Sequence, residues 1–334
     1  MENLASLSLV AVYSAMGVYT LAFIAFTLDL AKRSAELPAR AASGAAGAPV
    51  IATAAASVRG SAAGGTAVLE REKTLKPENK DGSRGGATVY QRVAFALAII
   101  GWVLHLAATL TRGIAADRVP WSNMFEFGLT ATLLGMGTFL GVQLWKDVRY
   151  LGAYITGFTV LSLGIVTVNF YVDVVPTPPA LQSAWLIIHV LVASLATAFF
   201  AIGAGLSTMQ LLRHQREVRK TAGLRFLDTV PGASTLESLA YRINVVGFVF
   251  WTFTLVAGAI WAERAWGRYW GWDTKEVWTF IIWVLFAGYI HARATRGWRG
   301  NRSAWLAIVG FGAVIFNYTI VNLFFEGLHS YSGI

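Results

Sequence analysis

Eight stretches of this chain are apolar for long enough, or nearly so, to cross a bilayer, which takes about 20 residues per helix. They run from about Ala5 to Leu28, stopping at Asp29; between Arg92 and Arg112; from Glu126 to before Lys146; and between Arg149 and Asp173. The others run from near Trp185 to before Arg213, between Arg242 and Glu263, between Glu276 and Arg293 (the shortest), and between Arg302 and Glu326. In lipid a segment must satisfy its own backbone hydrogen bonds, so each run is predicted as a helix and strands are excluded. The composition, 56% hydrophobic and 13% charged with a mean hydropathy of +0.56, excludes an ordinary soluble globular protein. The fold class expected is an all-α polytopic membrane protein with about eight transmembrane helices. The start, MENLASLSLV, lacks the basic n-region of a cleaved signal peptide and reads as a retained first span.

The basic residues orient the spans. With both termini outside, 22 of the 27 Lys and Arg fall in inside segments and five (Arg112, Arg118, Arg264, Arg268 and Lys275) fall outside. That asymmetry follows the positive-inside rule. It explains the net charge of +9 as topology and removes the case for a nucleic-acid partner. The stretch from about Pro38 to Gly86 is rich in Ala, Gly and Ser and too poor in large apolar residues to form a core. Three regions are therefore expected: a first helix at 1–30, a disordered cytoplasmic linker at 31–91, and a seven-helix body at 92–334 with an external loop at 261–278. There is no cysteine, so any thiol chemistry uses a partner's sulfurs.

That external loop, WAERAWGRYWGWDTKEVW, holds five of the 13 tryptophans: Trp261, Trp266, Trp270, Trp272 and Trp278. An aromatic belt spreads tryptophan over many helix ends, and so accounts poorly for five in one loop. Interleaved charges, Glu263, Arg264, Arg268, Asp273, Lys275 and Glu276, suit a platform for a large, flat, amphipathic ligand at the membrane surface. The topology also sorts the histidines. His329 lies outside, just past the eighth span, and His189 lies about 6 Å below the outer boundary at about 1.5 Å per residue. His105 lies about 10 Å deep by the same rise, His291 near the inner end of the seventh span, and His214 in a basic inner loop.

Imidazole is the usual axial donor to haem iron. His189 and His329, on one face, are placed to approach one cofactor from opposite sides, with indoles over its faces and Arg264, Arg268 or Lys275 on its propionates. From composition alone, each of these two histidines reads equally well as a ligand or as a structural polar contact. His105 reads as an interhelical hydrogen-bonding residue and His214 as a solvated one.

The residues at this point resemble a known family. WGRYWGWDTKEVW is similar to the WWD signature of the CcsA/ResC-type proteins (CcsB in some lineages) of system II cytochrome c biogenesis. PPALQSAWLIIHV, with His189, and NLFFEGLHSYSGI, with His329, resemble the family's two external-histidine segments. YIHAR, with His291, resembles its membrane histidine, and VPWSNMFEF, with Asn123 and Glu126, the segment before its third span. The match covers the chain from about Arg92 onward. Thr274 stands where the family has proline, and the family's companion protein is expected as a separate chain.

The resemblance implies haem b presented at the outer face, with His189 and His329 as axial ligands. Trp266, Trp270, Trp272 and Asp273 would belong to the platform, and His291 to an inner haem site. It implies thioether attachment to the CxxCH motif of apocytochrome c, as part of a holocytochrome c synthase complex. The partners implied are a companion CcsB/ResB-type membrane subunit, thiol-reducing proteins and lipid. The location implied is a plasma membrane, or a thylakoid membrane in a plastid. Two alternatives stay open: a haem transporter without an attachment role, and a b-type electron-transfer cytochrome using His105 and His189.

Overall fold

A computed structural model describes residues 2–46, 88–174, 181–295 and 298–329. Nine α-helices follow in order among the described residues: α1 (Glu2–Ala46), α2 (Val89–Ala116), α3 (Met124–Val142), α4 (Gly152–Asn169), α5 (Ala184–Arg219), α6 (Ala233–Trp266), α7 (Thr274–Ala294), α8 (Asn301–Tyr318) and α9 (Ile320–Phe324). Short 3-10 segments at Arg149–Leu151 and Ala222–Thr229 join α3 to α4 and α5 to α6. The described residues contain no strand. Taking α8 and α9 as one crossing, eight helical segments are long and apolar enough to span a membrane.

Two details differ from the sequence reading. The first helix does not stop at Asp29 but continues to Ala46. Asp29 is buried, yet it accepts hydrogen bonds from Arg33 and the Thr88 hydroxyl, so its charge is compensated and breaks nothing. Nor does α1 stand alone. Val12, Ala15 and Tyr19 enter the main core, and the Ser8 hydroxyl donates to the Ala108 carbonyl at 2.8 Å. The expected linker falls mostly on residues 47–87, outside the described residues.

One core lies among α1 to α6, around Tyr19, Phe125, Met136 and Leu206. A second joins α5 to α8 through Phe200, Trp251, Phe286 and Phe311. Helices in lipid associate through close packing of small residues. The fully buried run from Ala201 to Ser207, AIGAGLS, supplies that on α5. At 36 and 34 residues, α5 and α6 are each about 50 Å long, well beyond a hydrocarbon core of about 30 Å. Where they overhang, Arg216 and Arg213 hold Asp228 and keep its carboxyl below the usual range.

The opposite end of the bundle carries the α6–α7 loop. There Glu126, fully buried, pairs with Arg112 at 3.0 Å and with Arg118, and accepts from the Ser122 amide. This cluster fixes the turn between α2 and α3, and with it Trp121 and Asn123.

Candidate functional site

His189 sits in the second turn of α5, whose start is capped by the Ser183 hydroxyl. Its ring lies flat on α6 where Gly258 leaves room; a Cβ there would stand 2.8 Å from the His189 Cε1. A carbonyl can only accept, so the 3.0 Å contact with the Thr254 oxygen is a bond donated by His189 Nδ1–H. That leaves the Nε2 lone pair unprotonated, and Nε2 makes no hydrogen bond among the described residues.

The aromatic loop starts where α6 ends. Gly267, at φ +70°, takes the left-handed cap position and donates to the Glu263 carbonyl at 2.8 Å. Six residues on, Asp273 caps α7 in a reciprocal box with Glu276. The buried Glu276 carboxylate gathers the loop beneath it. It accepts from the amides of Gly271 (2.7 Å) and Asp273 (3.1 Å) and from Arg268 Nη1 (3.1 Å). Thr274 is the first helical residue, a position whose amide needs no intrahelical partner, so proline and threonine both fit it.

Asp273 does a second job. Its Oδ1 accepts from the Lys275 amide (2.9 Å) and from His329 Nδ1–H (3.2 Å), while Oδ2 accepts from the Leu328 amide (2.9 Å). Those bonds, the one from His329 foremost, lower its carboxyl to about 2. With Nδ1 committed to Asp273, Nε2 is the ring nitrogen of His329 left to face a ligand.

The five tryptophans divide their roles. Trp261 is buried and touches both histidine rings, with centroids 5.8 Å from His189 and 5.4 Å from His329. Trp266 packs on Trp261 at 4.7 Å and on His329 at 4.8 Å. Trp270 faces a cavity, Trp278 packs on Phe316 of α8, and Trp272 is 77% exposed at φ +60°, strained for so bulky a residue.

The cavity has an open-sided volume of about 1110 Å³. His189 and His329 both line it, with Trp261, Trp270, Lys275 and Asn123 among its other walls. The structure thus brings together six of the residues expected at the site: His189, His329, Trp266, Trp270, Asp273 and Lys275. It separates others. Arg268 is paired with Glu276, Arg264 is exposed outside the cavity, and Trp272 is exposed beyond the cavity walls, its ring edge-on to Trp270 at 5.9 Å. His291 is exposed in the last turn of α7, about 25 Å along the helix from Thr274. His105 uses both ring nitrogens within the bundle, with the Tyr19 hydroxyl at 3.4 Å and the Leu129 carbonyl at 2.9 Å. His214 is exposed at the other end. Glu276 and Asn317 went unassigned in the sequence reading. The D-x-x-E spacing of a capping box was the available sign for Glu276; nothing in the sequence marked Asn317.

Comparison with known proteins places the chain in a family. The family model described as cytochrome C assembly protein matches residues 121–329, the stretch that contains the cavity. The cytochrome c biogenesis protein CcsA of Guillardia theta is 36% identical over 242 residues, 66% of this chain and 79% of that protein. CcsA of Prochlorococcus marinus (strain MIT 9301) is 33% identical over 278 residues, 75% of this chain and 88% of the relative. Among solved structures, the cytochrome c heme lyase CcmF superimposes with a TM-score of 0.59 at 16% identity, a likeness of fold. The match covers 94% of this chain but 46% of that one. By the extent of the family match and the identity to these relatives, the chain belongs to the cytochrome c assembly protein family.

Proposed function

We propose that this chain holds haem b in the cavity at the α6–α7 loop end, on the outer membrane face, and presents it for attachment to apocytochrome c. One observation carries the reading. Two histidines from distant parts of the chain line one cavity, each with Nδ1–H committed to a fixed acceptor and Nε2 left free. An oriented imidazole with a second partner behind it is the usual arrangement of a metal-binding histidine. The cavity suits the group in other respects. Its walls are mostly apolar, as in ligand pockets generally, with the indoles of Trp121, Trp251, Trp261 and Trp270 among them.

Haem, when bound, supplies two vinyl groups across which the thiol S–H bonds of the acceptor's CxxCH motif add, sulfur to one carbon and hydrogen to the other. The chain has no cysteine to compete for those vinyls. Its residues contribute position. Thr254 fixes the His189 ring, Asp273 fixes His329, and Glu276 folds the loop that carries Asp273. Trp261 contacts both histidine rings and would be the side chain that adjusts as the two take up a shared ligand. The work is orientation rather than acid–base chemistry.

His105 weighs against the b-type cytochrome reading, because both its ring nitrogens are already bonded. His291, remote from the cavity, is available only to a separate inner site. Absorption spectra of the purified chain test the proposal. His189→Ala and His329→Ala are each expected to lose most of the bound haem and to abolish cytochrome c maturation, while His105→Ala retains it. Full haem retention in both of the first two variants would overturn the assignment. Vesicles supplied with external haem separate presentation from transport: attachment that proceeds without this chain would leave it delivery alone.

A further inference from the structure

We propose that Lys275, Asn123 and Asn317 form a subsite for a carboxylate of the bound ligand, at the corner of the cavity where α3, α7 and α8 meet. The inference rests on the haem reading, in which the carboxylates are the propionates.

Lys275 is a cation in an unfavourable place. It lies in the first turn of α7, where the helix dipole disfavours positive charge. Its Nζ donates to the Asn317 carbonyl at 3.2 Å and to Asn322 Oδ1, and sits 5.0 Å from the centre of the Tyr318 ring. All three partners are neutral. Among the described residues no carboxylate forms an ion pair with it, and the adjacent Glu276 is committed to Arg268 and two loop amides. An ammonium has three donors, so one remains, beside a largely apolar cavity. Asp273 acts on it electrostatically, but a charge lodged there without a paired carboxylate is costly.

The two asparagines extend the same patch. Asn123 is 5% exposed and Asn317 is 1% exposed, and both line the cavity. Asn123 Oδ1 caps α3 by accepting from the Glu126 amide, while its Nδ2 has no partner. Asn317 Oδ1 has none either. Asn322 ties the corner together, accepting from Lys275 and donating to Met124 Sδ at 3.4 Å. Buried polar groups without partners are rare enough to need a reason. A carboxylate accepts from Lys275 Nζ and from Asn123 Nδ2, and a half-turn of the Asn317 amide adds its NH2 as a third donor. The two arginines outside do not compete, since Arg268 is paired and Arg264 lies off the cavity. On a porphyrin the propionate edge faces away from the vinyls, so a grip here leaves the vinyl edge free for the incoming thiols.

The test is a titration of the purified full-length chain with haem b and with haem b dimethyl ester, whose propionates are uncharged, followed by absorption. Wild type is expected to prefer the free acid by about tenfold or more, the range of one or two charge-assisted hydrogen bonds. Lys275→Met should bring the affinity for haem b down to that for the diester, leaving the diester unchanged. Asn123→Asp keeps the α3 cap, replaces a donor with a repelling carboxylate, and should likewise weaken haem b alone. Equal affinity of wild type for the two ligands would overturn the subsite while leaving the haem reading in place. So would variants that weaken both ligands equally, or neither. A wild-type chain that binds neither ligand would overturn the haem reading, and this proposal with it.

Discussion

Two residues hold most of the geometry around the histidines. Gly258 gives His189 its seat, and Gly258→Ala would put a methyl within 2.8 Å of that ring, closer than packing allows. The ring must then tilt away from Thr254, and the expected result is a several-fold loss of haem retention, read by absorption, with expression unchanged. Asp273 separates two functions by chemistry. Asp273→Asn retains a good helix cap but removes the charge that orients His329. Asp273→Ala removes the cap as well, at a cost of about 1 kcal/mol. Asn should therefore weaken haem binding with little change in thermal stability, while Ala lowers both. The pH dependence follows from the same carboxyl. Its folded value of about 2 lies below its ordinary 3.8, so its hold on the tail is complete above pH 3.8 and is lost as pH falls through about 2. Hydrogen exchange at the Leu328 amide should accelerate over that window.

At the scale of elements, the buried Arg112–Glu126–Arg118 cluster sets the α2–α3 turn. Glu126→Ala leaves two arginines without their counter-charge. Breaking a buried pair in this way costs about 3–5 kcal/mol, which a melting curve in detergent would register as a marked loss of stability. The spans themselves were legible in the sequence, because a run of apolar residues long enough to cross a bilayer is a one-dimensional property. So was the aromatic loop between the sixth and seventh, and α7 begins at Thr274, two residues from the expected Glu276. Side-chain partners were not legible. That Arg268 would pair with Glu276 depends on how the loop folds back on the start of α7, and that Lys275 would rest on Asn317 and Asn322 depends on how α7 meets the last two helices. Asp29 misled as a helix stop for the same reason: its partner Thr88 lies 59 residues away.

For the molecule as a whole, the distribution of basic residues predicts which end faces out, and the lack of cysteine makes that directly measurable. Tyr269→Cys, in the exposed part of the loop, should react with an impermeant maleimide on intact cells. Lys220→Cys, in the α5–α6 overhang, should react only after permeabilisation. The reverse pattern would invert the topology and remove the cavity from the side where apocytochromes mature. The cavity's two histidines also differ in how they are held. His189 is built into the α5–α6 pair, fitted against a helix through Gly258 and bonded to its backbone. His329 lies on a tail past the last helix, packed on Trp261 and Trp266 and hydrogen-bonded to Asp273. The pair is therefore hemilabile: one donor is anchored and the other tethered. If the two histidines hold one haem iron as proposed, His329 would be the one to let go when an acceptor's own histidine displaces a ligand, and His189 would keep hold until the product leaves.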